Sequence, residues 1–276
     1  MALSGKLGAF WSSVSGFDSA NLLTNPDFET GNTTGWTATN ASVTSADVFE
    51  GFYACALAGD GTTAASVEQA TSAGSISAGD VVVVRCAAKA SGSPSADATL
   101  KLEFFDSSDA SLGSTSAAIP KTATSWERYS LIHTAPANTS YVKVSVACSG
   151  LSDSYIVDDF QLCKLEQVGG FSNWSVDVSV DTAEVTAFED APWRSYVVTQ
   201  KGWTASASRY WGSEDFFEHL TNGNPIYCVF YFNEDGDERL EGLAYVTGVS
   251  DDVPVDSVVT EDITFQGIGD LSYHTT

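Results

Sequence analysis

Carboxylates are by far the most common side chains in this sequence that could take part in chemistry. The 276 residues include 36 aspartates and glutamates against 12 lysines and arginines, which gives a formal net charge of −24. Paired carboxylates act as acid and base in glycoside hydrolysis, but so many are present here that no pair stands out. Lysine and arginine supply most of the affinity of proteins for nucleic-acid phosphates. The charge therefore argues against a protein that grips DNA, although it permits DNA to pass without binding.

Other catalytic signatures are missing from the sequence. The histidines His133, His219 and His274 are far apart, and there is no nucleophile elbow, phosphate-binding loop or zinc-protease motif. The five cysteines form neither Cys-x-x-Cys pairs nor Cys/His clusters, and we expect them to be reduced and buried. No segment approaches the ~18 consecutive apolar residues of a membrane span. The sequence therefore predicts a protein that is neither an enzyme nor inserted in a membrane.

Several carboxylates recur on the polar sides of predicted strands near the end of the chain. Residues 174–185 alternate apolar side chains with Ser and Asp, which predicts a half-buried strand. A second alternating strand is predicted at 201–211, a short helix between Ser213 and Gly223, and a closing strand at 256–269. The candidates for lining an acidic channel are Asp177, Asp181, Glu184, Asp256 and Asp262. The alternative is that these side chains are simply solvated.

The middle of the chain has a different character. About eight short apolar or alternating segments, separated by Gly, Ser, Asp and Pro turns, predict a β-sandwich. Residues 20–167 contain 16 acidic and 7 basic side chains, whereas residues 168–276 contain 19 and 4. The two segments are therefore predicted to be separate, mostly β domains, and the second has the one short helix.

The ends of the middle segment resemble those of a known family. "NLLTNPDFETGNTTGW" (21–36) and "SYIVDDFQL" (154–162) resemble the entry and exit of jelly-roll carbohydrate-binding modules of the family 4/9/22 type. The inner stretch "SWERYSLIHTAP" (125–136) also fits. The resemblance implies a jelly roll in which Trp36 and Trp126 are core residues.

The same resemblance implies two sites on the jelly roll. Related sandwiches often hold a structural calcium ion near the paired termini, and carboxylate oxygens suit calcium. The matching positions are Glu29 and Asp159, with Asp158 and Asp27 as helpers. The alternative is that these carboxylates accept backbone hydrogen bonds at a strand junction. Sugar binding needs exposed aromatic faces, and the candidates are Tyr53, Tyr129 and Tyr155. Some sandwiches of this kind bind no glycan, so both alternatives stay open.

The last segment resembles the major tail tube proteins of long-tailed bacteriophages and prophages. The resemblance is carried by "GFSNWSVDVSVDTAEVTAF" (170–188), "WRSYVVTQKGWTASASRYW" (193–211), "EGLAYVTGVSDDVPVDSVV" (241–259) and "ITFQGIG" (263–269). Such proteins usually begin with a short strand, a tight turn and then a Gly-Phe-x-x-Trp strand. Here "GKLGAFWSSVSG" (5–16) supplies the first strand, and its partner comes only at Val168.

The two resemblances together predict an interrupted domain. An N-terminal strand (1–19) and residues 168–276 form a small antiparallel β-barrel or sandwich with one α-helix, the tail-tube fold. The jelly roll (20–167) is inserted at a turn, which is tolerated when the ends of the insert lie close together.

The second resemblance implies a structural role in a virion, assembled in the host cytoplasm. Hexameric rings of the protein would stack into a hollow tail through which double-stranded DNA passes without specific binding. The partners would be further copies, the tape measure, the tail terminator and the baseplate or tip. The insert would be displayed outside, for weak multivalent attachment to cell-surface glycans. No cofactor beyond the structural calcium is expected. The alternatives are a stand-alone carbohydrate-binding protein and the tube of a tailocin or secretion-type injection machine.

Overall fold

The chain forms two compact units. The computed structural model describes residues 8–13, 21–186, 193–210, 212, 214–233 and 238–274. One unit, here called the host unit, combines Met1–Ser19 with Glu166–Thr276, and the other, the inserted unit, is Ala20–Leu165. The first boundary lies where the sequence places it, and the second lies two residues earlier. The fold is mostly β, with 58% of residues in strands and one short helix in the described part, which confirms the predicted fold class.

The regular elements are short in the inserted unit and long in the host unit. In chain order they are β1 (Ala9–Ser12), β2 (Thr37–Thr39), β3 (Ala41–Thr44), β4 (Ala54–Ala58), β5 (Ser66–Ala70), β6 (Val81–Ala90), β7 (Ala98–Phe105), β8 (Ser111–Ile119), β9 (Glu127–Thr134), β10 (Tyr141–Cys148), β11 (Ser154–Gln167), β12 (Phe171–Glu184), β13 (Tyr196–Tyr210), α1 (Asp215–Asn222), β14 (Ile226–Asn233), β15 (Glu238–Asp252) and β16 (Thr260–His274). No helix in the described residues is long and apolar enough to cross a membrane.

The inserted unit is a sandwich of two antiparallel sheets. Their strand orders are β2-β5-β10-β7-β8 and β3-β4-β11-β6-β9. Alternate residues point inward, so that Leu100 and Leu102 of β7 and Val144 of β10 are fully buried. Trp36 is buried against Phe160 with ring centroids 4.7 Å apart, as the resemblance implies for this tryptophan.

The two ends of the inserted unit are held side by side. Leu22 N donates to Leu162 O at 2.8 Å. The side chain of Asn21 donates to Phe160 O at 3.0 Å and accepts from Leu162 N at 3.1 Å. The first residue of the entry motif therefore ties the start of the unit to its last strand. Adjacent ends are what an insertion at a turn requires.

The host unit has the strand order β12-β13-β16-β15-β14-β1. β1 pairs with β14, with Phe10 opposite Phe230, and also with Glu166 and Gln167 at the end of β11. Val168 N donates to Phe10 O at 3.0 Å. The chain segments on either side of the insert thus meet within one sheet.

The core of the host unit is aromatic. The Phe10 ring centroid lies 5.0 Å from that of Phe230 and 5.7 Å from that of Phe265. Trp203 is buried directly over Gly267, where an added Cβ would lie 2.2 Å from the indole ring. The glycine of the "FQGIG" stretch is therefore required by the close approach of this ring.

Helix α1 packs on the host unit through Phe216, which is buried. The helix ends as predicted at Gly223, whose φ of 67° is left-handed and whose N–H donates to His219 O. Ser213, where the sequence places the start of the helix, lies outside the described residues.

The five cysteines are free and buried, which confirms the sequence prediction. Burial raises the pKa of the Cys55 and Cys86 thiols to about 12. The thiols are therefore inert packing groups.

Candidate functional site

One side of the host unit's sheet is polar across four adjacent strands, β12, β13, β16 and β15. Cross-strand pairing aligns Ser175, Ser206 and Thr264 in one row and Asp177, Thr204 and Gln266 in the next. The main residues of the polar face are Asn173, Ser175, Asp177, Thr204, Ser206, Ser208, Tyr210, Tyr245, Ser250, Asp252, Thr260, Asp262, Thr264 and Gln266. The opposite side of the same strands carries the buried core, because side chains alternate along a strand.

The polar face carries three carboxylates and no lysine or arginine. Hydroxyl groups hydrogen-bond across it: Ser175 Oγ and Ser206 Oγ are 2.9 Å apart, and Ser208 donates to Asp262. Of the unit's two buried cations among the described residues, Arg209 is paired with Glu261 on the core side of the sheet. Arg239 is paired with Glu241 on the Glu238–Ala244 stretch of β15 that pairs with β14, and it is buried there, outside the polar face. Such a face has no positive group that would hold a phosphate.

The five predicted channel-lining carboxylates are divided among three places. Asp177 and Asp262 lie on the polar face. Asp181 and Glu184 lie further along β12, around and beyond a bulge between Val180 and Thr182, where the strand is exposed. Asp256 was predicted on the last strand, and this was wrong. The β15–β16 ladder ends at the pair Asp252↔Thr260, so residues 253–259 form the connection.

Within the described residues, the four strands under the polar face have two open edges. β12 pairs only with β13 along its 14 residues. β15 pairs with β14 only from Glu238 to Ala244, so Tyr245–Asp252 has no partner on that side. Open edges present unpaired N–H and C=O groups that can pair with another chain.

The predicted glycan-binding tyrosines do not form an exposed platform. Tyr155 is fully buried, its hydroxyl donates to Ala96 O at 2.7 Å, and burial raises its pKa to about 12. The assignment of Tyr155 to a sugar site was wrong because this residue lies two positions from Val157 and shares the core side of β11 with it. Tyr53 and Tyr129 are half-buried and pack against the core. An aromatic residue that sequence reasoning missed is Phe52, whose side chain is 77% exposed.

A second aromatic and charged cluster lies beside β6 and β9. Trp126 Nε1 donates to Asp47 Oδ1 at 3.0 Å, and Lys89 Nζ lies 5.5 Å from the indole centroid. The ring of Phe49 is 5.7 Å from that of Trp126 and lies under the Arg128 guanidinium at 4.4 Å. Trp126 is therefore half-buried in this Trp126 cluster and not in the core, contrary to expectation.

Further polar residues on the side of the sheet next to the Trp126 cluster were not predicted from the sequence. Arg85 and Lys89 are four residues apart on β6 and so share a face, and Arg85 lies opposite Gln161 of β11. Gln161 Oε1 is buried and makes no hydrogen bond to any described residue. The run "VVVVRCAAKA" (81–90) predicts a strand that is buried on both faces. The four-residue spacing of Arg85 and Lys89 was the signal that one face is polar.

The carboxylates of the predicted calcium site have other partners. Glu29 Oε1 accepts from Phe52 N and Tyr53 N, both at 2.8 Å. Asp159 Oδ2 pairs with Arg128 Nη1 at 2.6 Å. Asp158 accepts from three backbone N–H groups and is fully buried, and burial raises its pKa to about 7.

These contacts do not fit a calcium ion. Over the described parts of the chain, no group of three or more His, Cys, Asp or Glu side chains is arranged to hold a metal. The carboxylates act as hydrogen-bond acceptors and an ion-pair partner, which agrees with the alternative drawn from the sequence.

Comparison with known proteins gives a family match for the inserted unit. Residues 20–151 match the family described as "Carbohydrate binding domain". This is slightly less than half of the chain. None of the curated proteins compared with the chain matches it.

Among solved structures, the chain is similar to parts of several proteins. One is the enzymatically active domain of tailspike protein 4 of bacteriophage CBA120 (TM-score 0.45, 16% identity, 52% of this chain and 21% of that chain). Another is "Family 16 Carbohydrate Binding Module-2" (TM-score 0.43, 18% identity, 51% and 99%). A third is a chain of the virion of a native gene transfer agent particle (TM-score 0.36, 14% identity, 40% and 89%). The matched part spans about a fifth of the tailspike chain. At these scores the similarities assign no function.

Proposed function

We propose that this chain is a structural virion protein whose host unit assembles into stacked rings that form a tube for DNA. The observation that carries the proposal is the polar face, which has no lysine or arginine and lies on four strands with an open edge on each side. The tail-tube resemblance of residues 170–269 supports the same assignment. No catalytic role is proposed.

The two open edges favour a closed ring. The four strands alternate in direction, so β12 and β15 run in opposite directions. Copies related by rotation about an axis parallel to the strands therefore place β15 of one copy antiparallel to β12 of the next. The contact is head-to-tail, and such contacts close into rings when the rotation permits. Closure removes both edges and produces one continuous barrel. The family resemblance suggests six copies per ring.

The sidedness of the sheet decides what lines the tube. The apolar side is covered by α1 and by the strands β14 and β1, which share the core cluster. The polar face is the side left for the lumen. Asp177, Asp252 and Asp262 would then recur in every copy, and the absence of cations would let the DNA phosphates slide past. We assign Asp181, Glu184 and Asp256 to the ends of the tube segment and not to its wall.

The inserted unit is proposed to display a glycan-binding surface on the outside of the tube. The family match of residues 20–151 supports this, and Phe52 and the Trp126 cluster supply aromatic and polar groups of the kind that sugars contact. Many copies per tube would make a weak single-site affinity useful.

The proposal is tested by crosslinking the two edges. A full-length chain with Ser175→Cys and Ser250→Cys places one thiol on β12 and one on β15, both on the polar face. Mild oxidation is expected to give a ladder of disulfide-linked multimers, because each edge meets the other edge of a neighbour. The matched control is Ser175→Cys with Thr221→Cys on α1. Equal crosslinking in both chains, or none in either at high protein concentration, would overturn the ring.

A further inference from the structure

In the described part of the chain, four strands form the open edges of the inserted unit's two sheets: β2 and β8 in one sheet, β3 and β9 in the other. Open edges expose unpaired backbone N–H and C=O groups, and proteins usually protect them with short strands, charged side chains, prolines or bulges. β2 and β3 have only three and four residues, and β9 carries Glu127 and Arg128. These three edges are therefore protected in the usual ways.

The fourth edge strand, β8, lacks this protection over most of its length. It has nine residues and, among the described residues, pairs only with β7. Residues 110–120 contain no charged side chain, although the whole chain has a net charge of −24. A register shift between Ser111 and Gly113 and the proline at position 120 leave residues 114–119 as a regular, uncharged edge. Such an edge is suited to pair with a strand of another chain.

The side chains around this edge are compatible with a second copy of the same strand. Residues 114–118 are Ser, Thr, Ser, Ala and Ala, so no large or charged side chain meets its counterpart when two β8 strands pair. Directly behind the edge, on β7, Glu103 lies opposite Ser114 and Lys101 lies opposite Ser116. Lys101 Nζ is 2.7 Å from Glu103 Oε2, so these two side chains neutralise each other. This strip therefore presents no like charges to a second copy of an otherwise acidic chain.

We propose that the inserted units of two copies pair through their β8 strands, antiparallel about a two-fold axis at Thr115. In this register Ser114 of each copy lies opposite Ser116 of the other copy. Each cross-strand row then runs from Glu103 of one copy, through the two serines, to Lys101 of the other copy, so that opposite charges share both rows. A two-fold axis at Ser116 would instead place the two Lys101 side chains in one row. A contact between identical surfaces closes as a dimer.

This contact differs from the proposed ring contact in place and in symmetry. The ring joins β12 and β15 of the host unit head to tail, whereas β8 belongs to the inserted unit and pairs with another β8. The pairing continues the five-stranded sheet of one copy into that of the other copy. It does not depend on the proposed tube and can be measured separately from it.

Sedimentation velocity of the full-length protein, at rising concentrations below those at which larger assemblies form, tests the pairing. The wild-type protein is expected to show a monomer–dimer equilibrium. Ser114→Lys with Ser116→Lys puts lysine opposite lysine in both rows and should raise the dissociation constant about tenfold or more, because like charges directly opposite are unfavourable. Ser114→Lys with Ser116→Glu puts lysine opposite glutamate in both rows and should return the constant to the wild-type value or below it.

The matched control is Thr37→Lys with Thr39→Lys on β2, the other edge strand of the same sheet. It makes the same charge change as the two-lysine variant of β8 and should leave the dissociation constant unchanged. A wild-type protein that stays monomeric at every concentration would overturn the inference. So would an unchanged constant in the two-lysine variant of β8, or no recovery when glutamate replaces Ser116.

A disulfide crosslink tests the register. A chain with Ser114→Cys, mixed with a chain with Ser116→Cys, should form disulfide-linked dimers, because directly opposite residues lie within the range of a disulfide. Either chain alone brings its new thiols only to diagonal positions, about 7–8 Å apart, and should crosslink much less. The five native thiols are buried and do not interfere. Equal crosslinking by the mixture and by the single chains, or none in any of them, would contradict the pairing.

Discussion

The buried carboxyl group of Asp158 should make the stability of the protein fall as the pH rises from about 4 to about 7. Its side chain is fully buried, with Oδ2 accepting from Phe49 N at 3.0 Å and Glu50 N at 3.3 Å, and Oδ1 accepting from Asp159 N at 2.8 Å. Burial raises its pKa from 3.8 to about 7, against the effect of these three hydrogen bonds. The negative charge of the nearby Asp159 carboxylate also raises the pKa of Asp158.

The sign and size of the effect follow from proton linkage. Between the two pKa values the folded state keeps a proton that the unfolded chain has lost, so the free energy of unfolding decreases with rising pH. The free energy of unfolding falls by at most about 1.4 kcal/mol per pH unit. Between the two pKa values of Asp158 the total decrease is about 4 kcal/mol. The other shifted carboxyls act at lower pH. Asp153, for example, has its pKa lowered by the N–H of Ser95, and it stabilises the fold above its ordinary range and loses this effect as the pH falls.

Urea unfolding at pH 4.5, 6 and 7.5 measures this directly. The wild-type protein should lose about 3–4 kcal/mol across the series, whereas Asp158→Asn should show little slope. In this variant the side-chain amide points an N–H donor at the backbone N–H of Asp159. This unfavourable contact lowers the free energy of unfolding by the same amount at every pH. Asp181→Asn, at an exposed position of β12, is the matched control and should keep the wild-type slope. If Asp158→Asn and wild type have the same slope, the carboxyl does not titrate as argued.

Three further predictions concern the core, the lumen and the inserted unit. Gly267→Ala drives a methyl group into the Trp203 ring and should lower the free energy of unfolding by about 1–3 kcal/mol, whereas Gly212→Ala, with open space around its Cα, should change it little in the same urea titration. Ser206→Lys should leave rings intact but make purified tubes retain DNA in a salt-dependent way, and Ser206→Gln should not; retention by neither would count against a polar lumen. Phe52→Ala should change stability by less than about 0.5 kcal/mol yet weaken retention on a glycan array, and unchanged retention would remove Phe52 from the site.

Much of the fold was predictable because local signals agreed with the tertiary structure. Gly223 ends a helix where a left-handed residue is needed, and Asn21 stands where the ends of the insert must be tied together. The alternation of residues 174–185 gave the correct strand. It also predicted half-burial of Val178 and Val180, and both are exposed, because the pairing of β13 with β16 ends at Thr204, before the residues that face these valines. An alternating pattern shows which face of a strand could be buried. It does not show whether another element covers that face.

The site residues were less predictable, for reasons that individual residues show. Tyr155 looked like a free aromatic, but its spacing from Val157 already assigned it to the core side. Asp256 follows Pro254 closely, and a proline there is unfavourable within a continuous strand. The Trp126 cluster combines a loop, β6 and β9, which are far apart in sequence. The open edge of β15 exists because this strand extends beyond the range in which β14 pairs with it. No local sequence pattern specifies the relative lengths of two neighbouring strands.

Electron microscopy of the purified full-length protein at rising concentration tests the central claim most directly. The account predicts rings with a central hole that stack into tubes as the concentration increases, with the inserted unit visible on the outside. Compact particles of single-chain mass at every concentration, together with no crosslink between Ser175→Cys and Ser250→Cys, would contradict it.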